Sequence, residues 1–144
     1  MFEERYSVSF LVPGDAEAPV LALSAPISFW GGIDLKSGRI CDINHPQNGK
    51  LISHKILLLP STKGSTAGPG ALLEFLCSPN APAAILTNGS DMVVALACRV
   101  KSLLRTTDNP MGMMTDEDFR QCAGRSNCAR GILSAQGLTL LSRA

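Results

Sequence analysis

Charge is scarce in this sequence. Asp, Glu, Lys and Arg make up 17% of the residues, and 13 basic side chains face 12 acidic ones. A chain so evenly balanced has no field with which to capture nucleic acid or an anionic membrane surface. Long hydrophobic runs are missing too. No segment approaches the ~18 apolar residues of a membrane span. The amino terminus, Met1-Phe2-Glu3-Glu4-Arg5, is acidic where a secretory signal is basic, so a cytoplasmic protein is expected. Cysteine is too irregular for a scaffold: Cys41, Cys77, Cys98, Cys122 and Cys128 are odd in number and form no C-x-x-C pair. Neither a disulfide framework nor a zinc site is expected, even of Cys122 and Cys128, the closest pair. Histidine occurs twice, at His45 and His54, in no metal-ligand spacing. His45, standing before Pro46, reads as a turn residue. Asn88-Gly89-Ser90 matches a glycosylation triplet, but without a secretion signal it reads as a turn.

What is present is a hydrophobic fraction of 45% in 144 residues. A chain of this length buries about 70% of its unfolded surface, enough for one self-sufficient core, and disorder is excluded. The low charge, 13 glycines and 9 prolines imply a surface rich in loops or covered by a partner.

Residues 6–12 read as a strand ended by Pro13-Gly14, and residues 20–23 as a short apolar segment. Phe29-Trp30-Gly31-Gly32 reads as core plus turn, with a contact to substrate or partner as the alternative. Ile56–Leu59 is apolar without interruption, the pattern of a strand buried on both faces. A helical pattern over residues 71–76 stops at Ser78-Pro79, and residues 83–87 read as a second buried strand. Strand, loop, helix and strand in that order predict a βαβ unit with parallel strands. Ser90 or Asp91 is placed to cap a second helix over residues 92–104, which 106–110 break. Residues 111–114 form a possible short strand. Thr115 followed by Asp116-Glu117-Asp118 predicts a cap and one helical turn, solvated by its carboxylates. The tail folds as a hairpin about Gln136-Gly137. The expected fold is a single α/β domain over residues 1–144. It has a mixed, barrel-like or sandwiched sheet, a βαβ unit and about two main helices.

Chemistry is expected in the loop over residues 61–70, Ser-Thr-Lys-Gly-Ser-Thr-Ala-Gly-Pro-Gly. It follows the carboxyl end of a buried strand and precedes a helix, where open α/β sheets place ligands. Helix-start N–H groups, several hydroxyls and Lys63 together suit a carboxylate or phosphate. The order Lys63-Gly64-Ser65 is not that of a phosphate-binding Walker loop. The competing reading makes Ser65 or Thr66 a simple cap of a helix that begins near Pro69. A cap needs one hydroxyl, and four are available.

Several segments recur together in consistent order. They are Pro26-Ile27-Ser28-Phe29-Trp30-Gly31-Gly32-Ile33-Asp34, then Gly38, His45-Pro46 and Gly49, then Leu59-Pro60 with Lys63-Gly64-Ser65-Thr66, then Ala81-Pro82-Ala83-Ala84-Ile85. In this combination the sequence resembles the small subunit of aconitase X, the swivel domain of a branch of the aconitase superfamily. The likeness covers residues 6–104. It implies a swivelling-type domain and a hydro-lyase that is active only with a large subunit or fused large domain. The iron or iron–sulfur centre is then expected in that larger part, with no cofactor in this chain. The family's glycine-serine motif falls on Gly64-Ser65, with the basic residue before it at Lys63. The resemblance thus implies Ser65 as catalytic base and Lys63, Gly64 and Thr66 as substrate-binding residues. Thr66-Ala67-Gly68-Pro69-Gly70 departs from the serine-rich form of the motif.

Family members dehydrate cis-3-hydroxy-L-proline or a phosphorylated mevalonate. Lys63 is the only cation in the loop, which favours cis-3-hydroxy-L-proline, giving pyrroline-2-carboxylate. A phosphomevalonate dehydratase small subunit is the alternative. A non-catalytic module that binds an anion or docks a partner is the alternative of another class.

Overall fold

A computed structural model describes residues 2–64, 66–104, 109–126 and 129–142. Its elements in chain order are β1 (Phe2–Tyr6), β2 (Ser9–Val12), β3 (Ala16–Ala22), β4 (Ile33–Asp34), β5 (Arg39–Ile40), β6 (Ile56–Leu59), α1 (Gly68–Leu76), β7 (Ala84–Asn88), α2 (Met92–Leu103), β8 (Met111–Met114), α3 (Asp116–Arg125), β9 (Arg130–Ser134) and β10 (Gly137–Ser142).

The apolar run of β6 is buried at every position. It pairs in parallel with β3 on one side and β7 on the other, with Ile56 opposite Ala84 and Leu59 opposite Thr87. Its side chains alternate between two cores. Leu57 and Leu59 meet Leu72 and Phe75 of α1 and Val94 and Ala97 of α2. Ile56 and Leu58 point the other way, into a cluster with Phe119 and Cys122 of α3 and Leu133, Leu138 and Leu140 of the tail hairpin. A strand buried on both faces has no polar alternation to show, which is why it reads as a continuous run. The expected βαβ unit is present. A second one, β7–α2–β8, extends it, with Ile85 opposite Met111 in parallel.

The sheet has eight strands in the order β1-β10-β9-β3-β6-β7-β8-β2. Its two end strands are consecutive in the chain, joined by Ser7 and Val8 alone. Two linking residues span roughly 10 Å, so the ends of the sheet must curl toward each other. The sheet is therefore mixed and barrel-like.

Two expectations are corrected. Residues 6–12 are not one strand. Tyr6 pairs with Leu138 and Ser9 with Met113, so the chain turns a corner between them and changes partner. Residues 116–120 are not one isolated turn either. Thr115 caps, its Oγ1 accepting the Asp118 N–H at 3.2 Å. The helix then runs on to Arg125 because Phe119 and Cys122, three apart on one face, are both buried. There are thus three helices among the described residues. Cys128 and residues 106–108 of the expected helix break lie outside the described residues. Burial pushes the Cys122 thiol up to about 12, leaving it protonated and inert.

Tyr6, the only tyrosine in the chain, lies beneath the corner at 5% exposure. Its hydroxyl donates to Glu4 Oε2 at 2.6 Å, and Arg125 pairs with the same carboxylate. Burial, reinforced by the hydrogen bond to Glu4, pushes its pKa from 10.0 to about 12. A phenol that keeps its proton longer when folded stabilises the fold fully below the unfolded value, near pH 10. That contribution is lost as the pH rises through about 12. The ultraviolet absorbance of tyrosinate reports this one residue, so its titration midpoint should fall near 12. A midpoint near 10 in folded protein would show the hydroxyl to be free.

Candidate functional site

The loop after β6 begins pinned. Ile27 and Thr62 form a parallel bridge, and the Lys63 N–H donates to the Ile27 carbonyl at 3.1 Å. Thr62 is held a second time. Its N–H donates to Asp91 Oδ2 at 2.8 Å, and its hydroxyl lies 2.9 Å from both carboxylate oxygens. Asp91 also accepts the Val94 N–H at 3.1 Å, the geometry of an N-cap on α2. Of the two expected cap residues it is Asp91 that caps, while the Ser90 hydroxyl lies 3.5 Å from Met113 Sδ.

Beyond Thr62 the loop opens to solvent. Lys63, Gly64 and Thr66 are exposed, and Gly64 has no heavy atom within 4 Å of where a Cβ would stand. Ser65 lies outside the described residues, between Gly64 and Thr66. The simple cap reading fails for Thr66. The N-cap position of α1 is Ala67, whose side chain makes no cap, and its first turn carries no acidic residue. Pro69 stands in that turn, where its missing N–H costs nothing. The first turn of a helix presents N–H donors and the positive end of its dipole toward the segment that precedes it.

Lys63 reaches back across the site. Its Nζ lies 3.3 Å from Asp42 Oδ2, with the lysine side chain 56% exposed and the aspartate 17%. Asp42 is fixed by its own turn. Its Oδ1 accepts the Asn44 N–H at 2.9 Å, and the N–H groups of Cys41 and Asp42 both donate to the Gly32 carbonyl. The Asn44 N–H, and after it Lys63, hold the Asp42 carboxyl below its ordinary range against the opposing effect of burial. Gly32 is required here, since any Cβ would collide with the Ser28 carbonyl.

The aromatic segment divides its roles. Phe29 is core at 1% exposure, Gly31 turns with φ of 82°, and Trp30 projects at 65% exposure. Together with Leu35, Ala67, Ala71 and Glu74, they line a cleft of about 440 Å³ beside the start of α1. His45 is structural, as expected of a turn residue. Its Nδ1 accepts the Gln47 N–H at 3.0 Å, and its Nε2 lies 3.1 Å from the Ala25 carbonyl. Among the described residues no three His, Cys, Asp or Glu side chains gather as a metal-binding group. None of the described helices is long and apolar enough to cross a membrane.

Lys63, Gly64 and Thr66 are exposed together on the loop after β6. Asp42 and the Thr62–Asp91 tether went unread. The capping role of Asp91 was visible as an acid before an apolar run, but its reach to Thr62, 29 residues away, had no local signal.

Comparison with known proteins gives a consistent answer. The family model for the aconitase X swivel domain matches residues 5–124. A cis-3-hydroxy-L-proline dehydratase of Hypocrea jecorina is 31% identical over 117 residues, which are 81% of this chain and 20% of that protein. A phosphomevalonate dehydratase small subunit of Methanothermobacter thermautotrophicus is 33% identical over 106 residues, 72% of this chain and 81% of that one. The chain therefore spans a fifth of one relative and most of the other. The crystal structure of holo-form aconitase X from Thermococcus kodakaraensis superposes with a TM-score of 0.79. It is 26% identical and covers 96% of this chain and 99% of that chain.

Proposed function

The chain belongs to the aconitase X swivel-domain family, and we propose that it is the small subunit of a dehydratase that removes water from a 3-hydroxy acid, with Ser65 as the base. The observation that carries this reading is the exposed run of Lys63, Gly64 and Thr66 between the carboxyl end of β6 and the start of α1. Dehydration next to a carboxylate needs three things: a base for the α-proton, donors that hold the carboxylate while charge develops on it, and departure of the 3-hydroxyl as water. The α-proton passes to Ser65 Oγ, the C–H electrons form the new double bond, and the C–O pair leaves with the 3-hydroxyl. That hydroxyl takes up a proton and departs as water, so that one proton is lost at C2 and one gained by the leaving oxygen. A serine hydroxyl is a poor base, and as alkoxide a strong one. Helix-start N–H groups and the Lys63 ammonium favour the alkoxide. Lys63 and the N–H groups also receive the substrate carboxylate.

The described residues of this chain provide no ligand set for an iron centre, and that centre is proposed for the large partner. The surface that meets the partner includes the loop and the exposed Trp30. The substrate proposed is cis-3-hydroxy-L-proline. Lys63 is the one cation of the loop, and Asp42 already neutralises part of its charge, which leaves little for an additional phosphate. The second reading, phosphomevalonate, is favoured by the small-subunit relative, which this chain covers over 81% of its length.

The test is co-expression with a large-subunit chain of the same family, then assay of both compounds. Turnover of cis-3-hydroxy-L-proline by the complex, and none by this chain alone, is expected. Turnover of the phosphorylated mevalonate alone would reverse the substrate choice. No dehydration of either would remove the enzymatic reading. In the same assay Lys63→Met should raise KM about tenfold, the loss of one charge-assisted hydrogen bond, with a smaller change in kcat.

A further inference from the structure

Asp91 has more contacts than a helix cap requires. One hydrogen bond, from the Val94 N–H, completes the N-cap of α2. The remaining capacity of the carboxylate goes to Thr62, through the backbone N–H at 2.8 Å and the hydroxyl at 2.9 Å. A carboxylate accepting from backbone and side chain of one residue fixes both the position and the rotation of that residue. Thr62 stands three residues before Ser65, with Lys63 and Gly64 between them. Gly64 has no heavy atom near its Cβ position to confine it, and Thr66 is exposed. The anchorage before Ser65 is therefore the Thr62-Lys63 pair, bridged to Ile27 through the Lys63 N–H on one side and tied to Asp91 through Thr62 on the other.

We infer that Asp91 is a positioning residue for the reaction, holding the 62–66 loop in register with the start of α1 through Thr62. The inference rests on the dehydratase reading of that loop. Asp91 touches neither substrate nor reacting atoms in this scheme. It removes freedom from the segment that carries the base, so its effect belongs to the transition state, where misplacement of a base is costly, and not to ground-state binding.

Two variants separate tethering from capping. Asp91→Ser keeps a good N-cap residue on α2 but is too short to hold Thr62 twice. Thr62→Val removes the hydroxyl donor and leaves the N–H, while Thr62→Ser restores it. In the complex with the large subunit, Asp91→Ser and Thr62→Val should each lower kcat about tenfold or more, with KM nearly unchanged. The double variant should lose little more than the worse single one, because both remove one interaction. Thr62→Ser should recover most of the rate.

A second readout needs no turnover. In the isolated full chain, hydrogen exchange at the Thr62 amide should quicken at least about tenfold in Asp91→Ser while the amides of β6 and α2 hold their protection. Unchanged exchange at Thr62 overturns the inference. So does full kcat in both variants, a loss that multiplies in the double variant, or a loss that follows a general fall in melting temperature. Failure of the underlying reading looks different. Ser65→Ala would then keep its turnover, or the complex would dehydrate nothing, while the exchange experiment still decides the tether.

Discussion

Replacing Ser65 by alanine in the assembled enzyme is expected to lower kcat by ~10²–10⁴, the range typical of losing a positioned general base. KM should change little. In the proposed scheme the substrate carboxylate is received by Lys63 and the N–H groups at the start of α1, and alanine at position 65 removes neither. The expected cost is thus confined to proton removal, the step in which the hydroxyl oxygen takes part. If the loss is one of chemistry, the inactive variant should melt with the wild type and co-purify with the large subunit equally well. Steady-state kinetics of the complex, with melting temperature alongside, make the measurement. Full turnover by Ser65→Ala would take the base away from this chain. The loop would then be left with anion binding or partner docking as its role.

The largest effect on stability is expected at Gly137, far from that loop in sequence. Its φ is +114°, a conformation that L side chains rarely adopt. A Cβ there would run into the Tyr6 carbonyl and touch the Ser7 Cα, all of it backbone. These atoms form the corner at which β1 ends and the chain crosses to β2, so the clash cannot be relieved by turning a side chain. It must open the junction where the sheet curls on itself. Gly137→Val should cost about 3–5 kcal/mol, combining backbone strain with overpacking. Against a total of roughly 5–15 kcal/mol for a typical domain, much of the protein would then unfold under mild conditions. Urea denaturation should show the midpoint falling with little change in slope. Gly70→Ala is the contrasting case. Gly70 lies inside α1 with no heavy atom within 4 Å of the place a methyl group would take, so the variant should gain up to about 1 kcal/mol in helix propensity. Equal effects at the two sites would show that the corner yields more easily than its backbone contacts imply.

The two sites differ in how they could be recognised. Lys63-Gly64-Ser65-Thr66 stands out because it is polar, glycine-broken and set between a buried strand and a helix. Gly137 has a turn signal, Gln136 before it and a hairpin pattern around it. That signal says nothing of Tyr6, whose carbonyl makes glycine indispensable.

Period and composition along the chain were sufficient for β6, α1, β7, the capped start of α2 and the tail hairpin. Each is a local arrangement. A run buried on both faces, a proline in the first turn or an acid before an apolar stretch acts over a few residues, and its physics is complete within them. The position of the exposed loop between β6 and α1 followed from the same order of elements. Tertiary structure alone decided the break at Ser7 and Val8, because an extended chain looks the same on either side of a change of partner. It also extended α3 to Arg125, since Phe119 and Cys122 gain from helical spacing only when a core lies beneath them. Above all it chose the carboxylates. Asp91 on a helix cap meets Thr62 because the sheet order sets β6 and β7 side by side, and Asp42 meets Lys63 from a turn just beyond the separate β4–β5 pair. A charge has no periodicity, and its partner is whichever group the packed backbone brings within hydrogen-bond reach.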